Sequence, residues 1–277
     1  MELSYSRFIL RPKQNLNHFS ELAHREGIFF NYDSYYAEYT PWLEFGDLSV
    51  DDYLNHICST KKIPDLILKK FNLDKDKKNI RHDRFFNHGL NNLSQKTCKL
   101  KINDFISKLK GSDLEDYSGS LRLDCNNLYT LEEFLRFYNS LSKKLISKIE
   151  YFEDPCPYND LNWGQLRDLS IPLAIDRNSF DDEHFDFEIY KPSIDFKPLT
   201  TKPVIYSSYM GSDLDRYHTY LELMSHGDLS LFHGIDTPNL FLDQSDLFQY
   251  QGSDCFLNTQ FVDILYGKLK GMMWTKI

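Results

Sequence analysis

Three things are scarce or missing in this chain, and each absence removes a class of protein. No apolar run approaches the roughly 20 residues that a bilayer-crossing helix requires. A basic excess is missing too. Lys and Arg total 32 against 41 Asp and Glu, for a formal net charge of −9, which disfavours the anionic surfaces of nucleic acid or membrane as partners. Lysine-rich stretches at 61–62, 69–70 and 75–78 read as solvated faces, the last of them interleaved with Asp. Cysteine is scarce and unpatterned. The five, at 58, 98, 125, 156 and 255, form no CxxC pair and no Cys/His cluster of zinc spacing, so reduced thiols in a cytosolic protein are expected. The opening residues Met1–Arg7 lack the basic-then-apolar order of a signal peptide, and a cytoplasmic location is expected.

The 277 residues suffice for one large domain or two unequal ones, and 41% hydrophobic content indicates a globular core. Two β-like runs, Phe8–Leu10 and Gly27–Tyr32, open the chain. Helical periodicity then covers roughly 50–60, with Ser49 as N-cap, and 62–72, while the polar stretch 73–84 reads as a turn or exposed segment. Strands followed by helices predict a small α+β unit over 1–94. From residue 97 strands and helices alternate. Strand-like runs fall at 97–102, 120–124, 149–153, 172–176, 187–191, 203–208 and 229–233, with helices at 103–110, 130–146, 159–168 and 213–226. Thr130 and Glu133 form a capping box at the start of the second of these helices. Alternation predicts parallel βαβ units, hence an α/β fold. The crossovers after Asp176 and Lys191 are too short for full helices, so a (β/α)8-type barrel over 95–245 is expected to have some helices shortened. The tail 246–277 is expected to pack back on the N-terminal unit.

Charges punctuate the barrel strands. Lys99 and Lys101 alternate on one strand and so face the same way. Asp124, Glu153 and Asp176 each close an apolar run, 29 and then 23 residues apart, about the length of one βα unit. Lys191 follows the next strand. A carboxylate after a strand can also simply cap the next helix. Three at this spacing converge on one barrel mouth instead, and an all-oxygen donor set suits Mg²⁺. A second ammonium near Lys101 lowers its affinity for a proton, which makes Lys101 a candidate general base. A metal that holds a carboxylate between lysine walls suits proton removal next to that carboxylate.

Lys99-Leu100-Lys101, Leu121-Arg122-Leu123-Asp124-Cys125-Asn126, Tyr151-Phe152-Glu153-Asp154-Pro155, Ile171-Pro172-Leu173-Ala174-Ile175-Asp176 and Lys191-Pro192-Ser193 together resemble the enolase superfamily. Val204–Ser208 and His233–Thr237 extend the match, and Pro41-Trp42 with Phe45-Gly46-Asp47 is similar to the cap-domain signature of its o-succinylbenzoate synthases, in the muconate-lactonising subgroup. The resemblance implies an α+β capping domain on a modified TIM barrel. It implies Mg²⁺, with Mn²⁺ as a substitute, held by Asp124, Glu153 and Asp176. It makes Lys101 the acid/base, Lys191 the opposite-face electrostatic partner and Lys99 the group that tunes Lys101. Arg122, Asn126, Ser207 and Ser208 would meet or support a small carboxylate substrate. The implied reaction is dehydration of a cyclohexadiene carboxylate to 2-succinylbenzoate in menaquinone biosynthesis. Racemisation of N-succinylamino acids, epimerisation of dipeptides, or a non-catalytic role on the same scaffold are the alternatives. Family members usually have an acidic residue after the third ligand; here it is Arg177. Oligomeric state is not legible in the sequence.

Overall fold

The computed structural model describes residues 2–13, 24–76, 84–90, 93–109, 113–176, 184–237 and 240–277. Arg177 lies outside them, as does the 77–83 part of the polar stretch.

The capping unit begins with an antiparallel meander, β1 (Leu3–Leu10), β2 (Arg25–Tyr32) and β3 (Tyr35–Tyr39). Its tight turn places Asp33 and Ser34 at φ 54° and 66°, the left-handed pair that suits a two-residue hairpin. A single 3-10 turn at Leu43–Phe45 precedes α1 (Val50–Thr60) and α2 (Asp65–Asp76). Ser49 caps α1 as expected, its hydroxyl accepting from the Asp52 N–H at 3.1 Å. Val50, Leu54 and Ile57 of α1 pack with Ile67 and Phe71 of α2 on Ile28, Phe30 and Ala37 of the sheet.

Strand pairing in the barrel sheet begins before residue 95. β4 (Phe85–Asn87) and β5 (Gly89–Leu90) form one extended segment, and β5 pairs in parallel with β6 (Thr97–Lys101). Polar Asn87 and His88 conceal this strand from an apolar-run reading, yet both are buried. Next come α3 (Ile102–Leu109), α4 (Asp113–Asp116), β7 (Ser120–Asp124), α5 (Leu131–Ser140), α6 (Lys143–Ile146), β8 (Ile149–Glu153), α7 (Asp160–Asp168), β9 (Leu173–Asp176), β10 (Phe187–Tyr190), β11 (Val204–Tyr206), α8 (Asp213–His226) and β12 (Phe232–His233). The helix expected over 130–146 is two, because Ser142 starts α6 by accepting from the Leu145 N–H at 3.2 Å.

Strands β5 to β11 form a continuous parallel sheet in chain order. A Ser207–Gly234 bridge and the parallel pairing of β12 with β4 close the ring, giving the eight strand positions of a TIM-type barrel. Cys98, Leu100, Leu121, Leu123, Phe152, Leu173 and Ile175 point outward and are covered by Phe105, Phe134, Trp163 and Leu166. Residues 191–203 run from β10 to β11 as turns, with no helix. The cap fills part of that gap. The Lys70 ammonium donates to the Glu38 and Ser193 carbonyls at 2.6 and 3.0 Å, and Lys69 donates to the Phe196 carbonyl at 2.5 Å.

The tail comprises β13 (Phe248–Gln251), β14 (Asp254–Leu257), α9 (Thr259–Lys270) and β15 (Thr275–Lys276). β14 pairs with β4, and β15 pairs with β1 of the cap. No helix among the described residues is long and apolar enough to cross a membrane.

Candidate active site

Alternation along each strand decides what faces the barrel axis. Cys98 and Leu100 turn outward, so Lys99 and Lys101 turn in; by the same parity Arg122, Asp124, Tyr151, Glu153, Ala174 and Asp176 line the interior. Lys101 is level with Asp124, and Asp124 with Glu153. Glu153 pairs with Ala174, so Asp176 stands two residues further out, and Asp176 in turn pairs with Ile189, two residues before Lys191. This stagger is the shear of a closed barrel.

The six charges meet. Lys101 donates to Asp124 Oδ2 at 2.5 Å and to Asn126 Oδ1 at 3.3 Å. Lys99 lies 3.1 Å from the same Asp124 oxygen and 2.7 Å from Glu153 Oε1. Lys191 is ion-paired with Asp176 Oδ2. The Asn126 N–H donates to Asp124 Oδ1 at 3.2 Å, and Asp154 Oδ1 accepts from the Asp176 N–H at 3.1 Å. Asn126, Asn127 and Asp154 take φ of 48°, 56° and 44°, left-handed values that Asn and Asp tolerate best among residues with a side chain.

Burial and mutual repulsion set the electrostatics. Glu153 is pushed up to about 6, by burial first, with Asp124 and Asp176 adding to it and Lys99 opposing. Burial acts on Asp124 in the same direction, but Lys101 and Lys99 override it and hold this carboxyl below its ordinary range. Burial also disfavours the charged form of Lys99, yet Asp124 and Glu153 hold its proton more tightly than usual. Lys99 is thus a fixed counter-ion to the carboxylates.

The remaining predicted residues lie around this centre. Arg122 sits one layer deeper and is fully buried. Its guanidinium makes a two-point contact with Glu150 at 2.7 and 2.9 Å and donates to the Phe232 carbonyl at 2.7 Å. Ser207 and Ser208 follow β11 directly, and the Ser208 N–H donates to the Gly234 carbonyl at 3.1 Å. A Cβ on Gly234 would come within 2.7 Å of the His88 ring, so only glycine fits there. Sequence reading missed Tyr209, whose ring centroid lies 5.7 Å from Lys191 Nζ. Its signal was faint: it stands two residues beyond Ser207, on the same parity of the strand end. Asp154, beside Glu153, was visible only as part of a motif.

Among the described residues, no three His, Cys, Asp or Glu side chains converge into a metal cage. The reason is local, since each of the three carboxylates is turned toward a lysine ammonium. The donor chemistry nevertheless fits a hard cation. Glu153 Oε2 is buried without a hydrogen-bond partner, a costly state for an anionic oxygen and one that a divalent cation would relieve.

Residues 3–71 match the family described as o-succinylbenzoate synthase, N-terminal domain. Over its whole length the chain is 27% identical to an o-succinylbenzoate synthase from Bdellovibrio bacteriovorus, of which it covers 96%. Among solved structures, it resembles muconate lactonizing enzyme from Pseudomonas fluorescens with a TM-score of 0.69, at 11% identity, covering 95% of this chain and 97% of that one. L-Ala-D/L-Glu epimerase from Bacillus subtilis gives 0.67 at 13% identity, with 93% and 96% covered. O-succinylbenzoate synthase from Thermosynechococcus elongatus, solved with magnesium in its active site, gives 0.64 at 15% identity, with 97% and 100% covered.

Proposed function

From this chain's resemblance to the o-succinylbenzoate synthases of the enolase superfamily, we propose that it is an o-succinylbenzoate synthase, a carbon–oxygen lyase of menaquinone biosynthesis. Its substrate would be 2-succinyl-6-hydroxy-2,4-cyclohexadiene-1-carboxylate and its product 2-succinylbenzoate. The carrying observation is the meeting of Lys99, Lys101, Asp124, Glu153, Asp176 and Lys191 at the C-terminal ends of adjacent barrel strands. Active sites of TIM barrels are built on that face.

Asp124, Glu153 and Asp176 would hold Mg²⁺, with Mn²⁺ as a substitute, and the bound cation would neutralise the substrate carboxylate. Lys101 takes the proton alpha to that carboxylate, then returns it to the departing hydroxide on the same face. Lys191, just past β10 and across the ring from β6, holds the charge of the enediolate from the other side. Lys99 keeps the carboxylate layer paired and tunes Lys101. Asn126 orients Lys101, Arg122 braces the floor beneath Asp124, and Ser207 and Ser208 border the substrate. The location proposed is cytoplasmic. Assay of the purified protein with this substrate and Mg²⁺ tests the reading, and absence of 2-succinylbenzoate would refute it.

A second reading rests on the two opposed lysines, which can pass a proton across a planar intermediate as well as eliminate hydroxide. It assigns N-succinylamino acid racemisation or dipeptide epimerisation to the same centre. Deuterium incorporation at the alpha carbon of those compounds, without dehydration of the cyclohexadiene, would select it.

A further inference from the structure

Four residues, Asp215, Trp42, Asp47 and Lys191, are tied to Tyr209, which is buried three residues beyond β11. Its N–H donates to Asp215 Oδ2 of α8 at 2.9 Å. Its carbonyl accepts from the Trp42 indole N–H at 3.0 Å, and its hydroxyl donates to Asp47 Oδ2 at 2.7 Å. The face of its ring lies 5.7 Å from the Lys191 ammonium, within cation–π range. Asp47 Oδ2 also accepts from the Trp42 N–H at 2.6 Å, so one carboxylate oxygen joins both ends of the 42–47 turn to Tyr209. Buried Arg25 backs this contact, its guanidinium 3.7 Å from the Trp42 ring centroid and donating to the Met210 carbonyl at 2.5 Å.

Apart from Trp42, the cap loop has little apolar hold. Leu43, Phe45 and Leu48 are 49%, 41% and 50% exposed. Its docking on the barrel therefore depends on a few polar links, and two of them end on Tyr209. The same ring that receives the loop faces Lys191.

We propose that Tyr209 is a positioning residue that latches the cap loop 42–48 to the Lys191 end of β10, so that loop docking and Lys191 placement are coupled. The proposal rests on the reading of Lys191 as acting on substrate, but it can be tested without turnover. Tyr209→Phe removes the hydroxyl link and keeps the ring; Tyr209→Leu removes both; Asp47→Asn weakens the link from the cap side.

Amide hydrogen exchange is followed by mass spectrometry in the full-length protein, together with steady-state kinetics on the cyclohexadiene substrate. Tyr209→Phe and Asp47→Asn should speed exchange in 42–48 about tenfold, the worth of one charge-assisted hydrogen bond, and exchange in 190–196 to a smaller extent; a wild-type rate in 190–196 while 42–48 loosens overturns the coupling. Tyr209→Leu should speed both segments. In kinetics, Tyr209→Phe should act mainly on KM and Tyr209→Leu should lower kcat about tenfold as well, with Phe rescuing kcat relative to Leu. If Tyr209→Leu does not fold, Tyr209→Phe and Asp47→Asn decide on exchange in 42–48. Wild-type exchange in 42–48 in these variants overturns the latch. Wild-type protein that does not dehydrate the substrate, while exchange follows the expected pattern, overturns the proposed function and supports the latch.

Discussion

Lys99 reaches past the neighbouring strand β7 to donate to Glu153 Oε1 on β8 at 2.7 Å. The two side chains are 13% and 2% exposed, so the pair is held in a poorly screened interior. Lys99 also contacts Asp124 at 3.1 Å, so one ammonium is shared by two buried carboxylates.

Lys99→Met would leave two buried carboxylates short of a counter-ion. Removing one partner of a buried pair commonly costs about 3–5 kcal/mol. A loss near the lower end is expected in urea unfolding at pH 7, together with a further rise in the proton affinity of Glu153, which Lys99 now opposes. Unaltered stability would mean that the pair is dispensable.

Glu38 of β3 acts on the barrel from the cap. Its carboxylate accepts from the Ser212 and Asp215 N–H groups at 2.8 and 3.0 Å, at the N-terminus of α8, where an anion is favoured by the helix dipole. Glu38→Gln removes the charge and turns an amide donor toward those donors. A stability loss of roughly 2 kcal/mol is expected, read as a lowered Tm, from the weakened charge-assisted bonds.

His233 is buried with its Nδ1 accepting from the Tyr206 N–H at 3.1 Å, which leaves Nε2 to donate to the Asp228 carbonyl at 3.0 Å. Burial lowers it from 6.5 to about 4. The unfolded chain therefore takes up this proton near pH 6.5 and the folded chain only near 4. Stability from this group is complete above pH 6.5 and is lost as pH falls toward 4, by up to roughly 3 kcal/mol. Subtracting the pH profile of His233→Asn, which keeps an acceptor for Tyr206, from that of the wild type should isolate this slope.

Metal binding gives a prediction independent of turnover. A ligand that binds only the folded state at 100 times its Kd stabilises by about 2.7 kcal/mol. Mg²⁺ should raise the Tm of the wild type, and Asp124→Asn should remove the increase. A wild-type Tm indifferent to Mg²⁺ would speak against the carboxylate layer as a metal site.

Much of the barrel was legible because its outward residues are apolar and its inward ones are not. The runs around Leu100, Leu123, Phe152 and Ile175 announce strands, and the charges between them announce the mouth. The same contrast hid β4, where buried Asn87 and His88 replace the expected apolar residues and are satisfied through the ring's interior. β3 was missed because Tyr35–Tyr39 follows β2 after only two residues and carries Glu38, whose partner 174 positions away on α8 no local pattern reveals. The long helix was wrongly joined because one N-cap, Ser142, restarts it. At the site, residue identity and spacing gave the six charges. Tyr209 left only a faint trace, its parity with Ser207, since its importance lies in contacts to Trp42, Asp47 and Lys191 made only after folding.

The most direct test of the central claim is formation of 2-succinylbenzoate from the cyclohexadiene substrate with Mg²⁺, compared between wild type and Lys101→Ala. A positioned general base typically contributes about 10²- to 10⁴-fold. The wild type should form product, and Lys101→Ala should lose at least that factor while keeping its fold. No product from the wild type, or equal turnover by Lys101→Ala, would contradict the account.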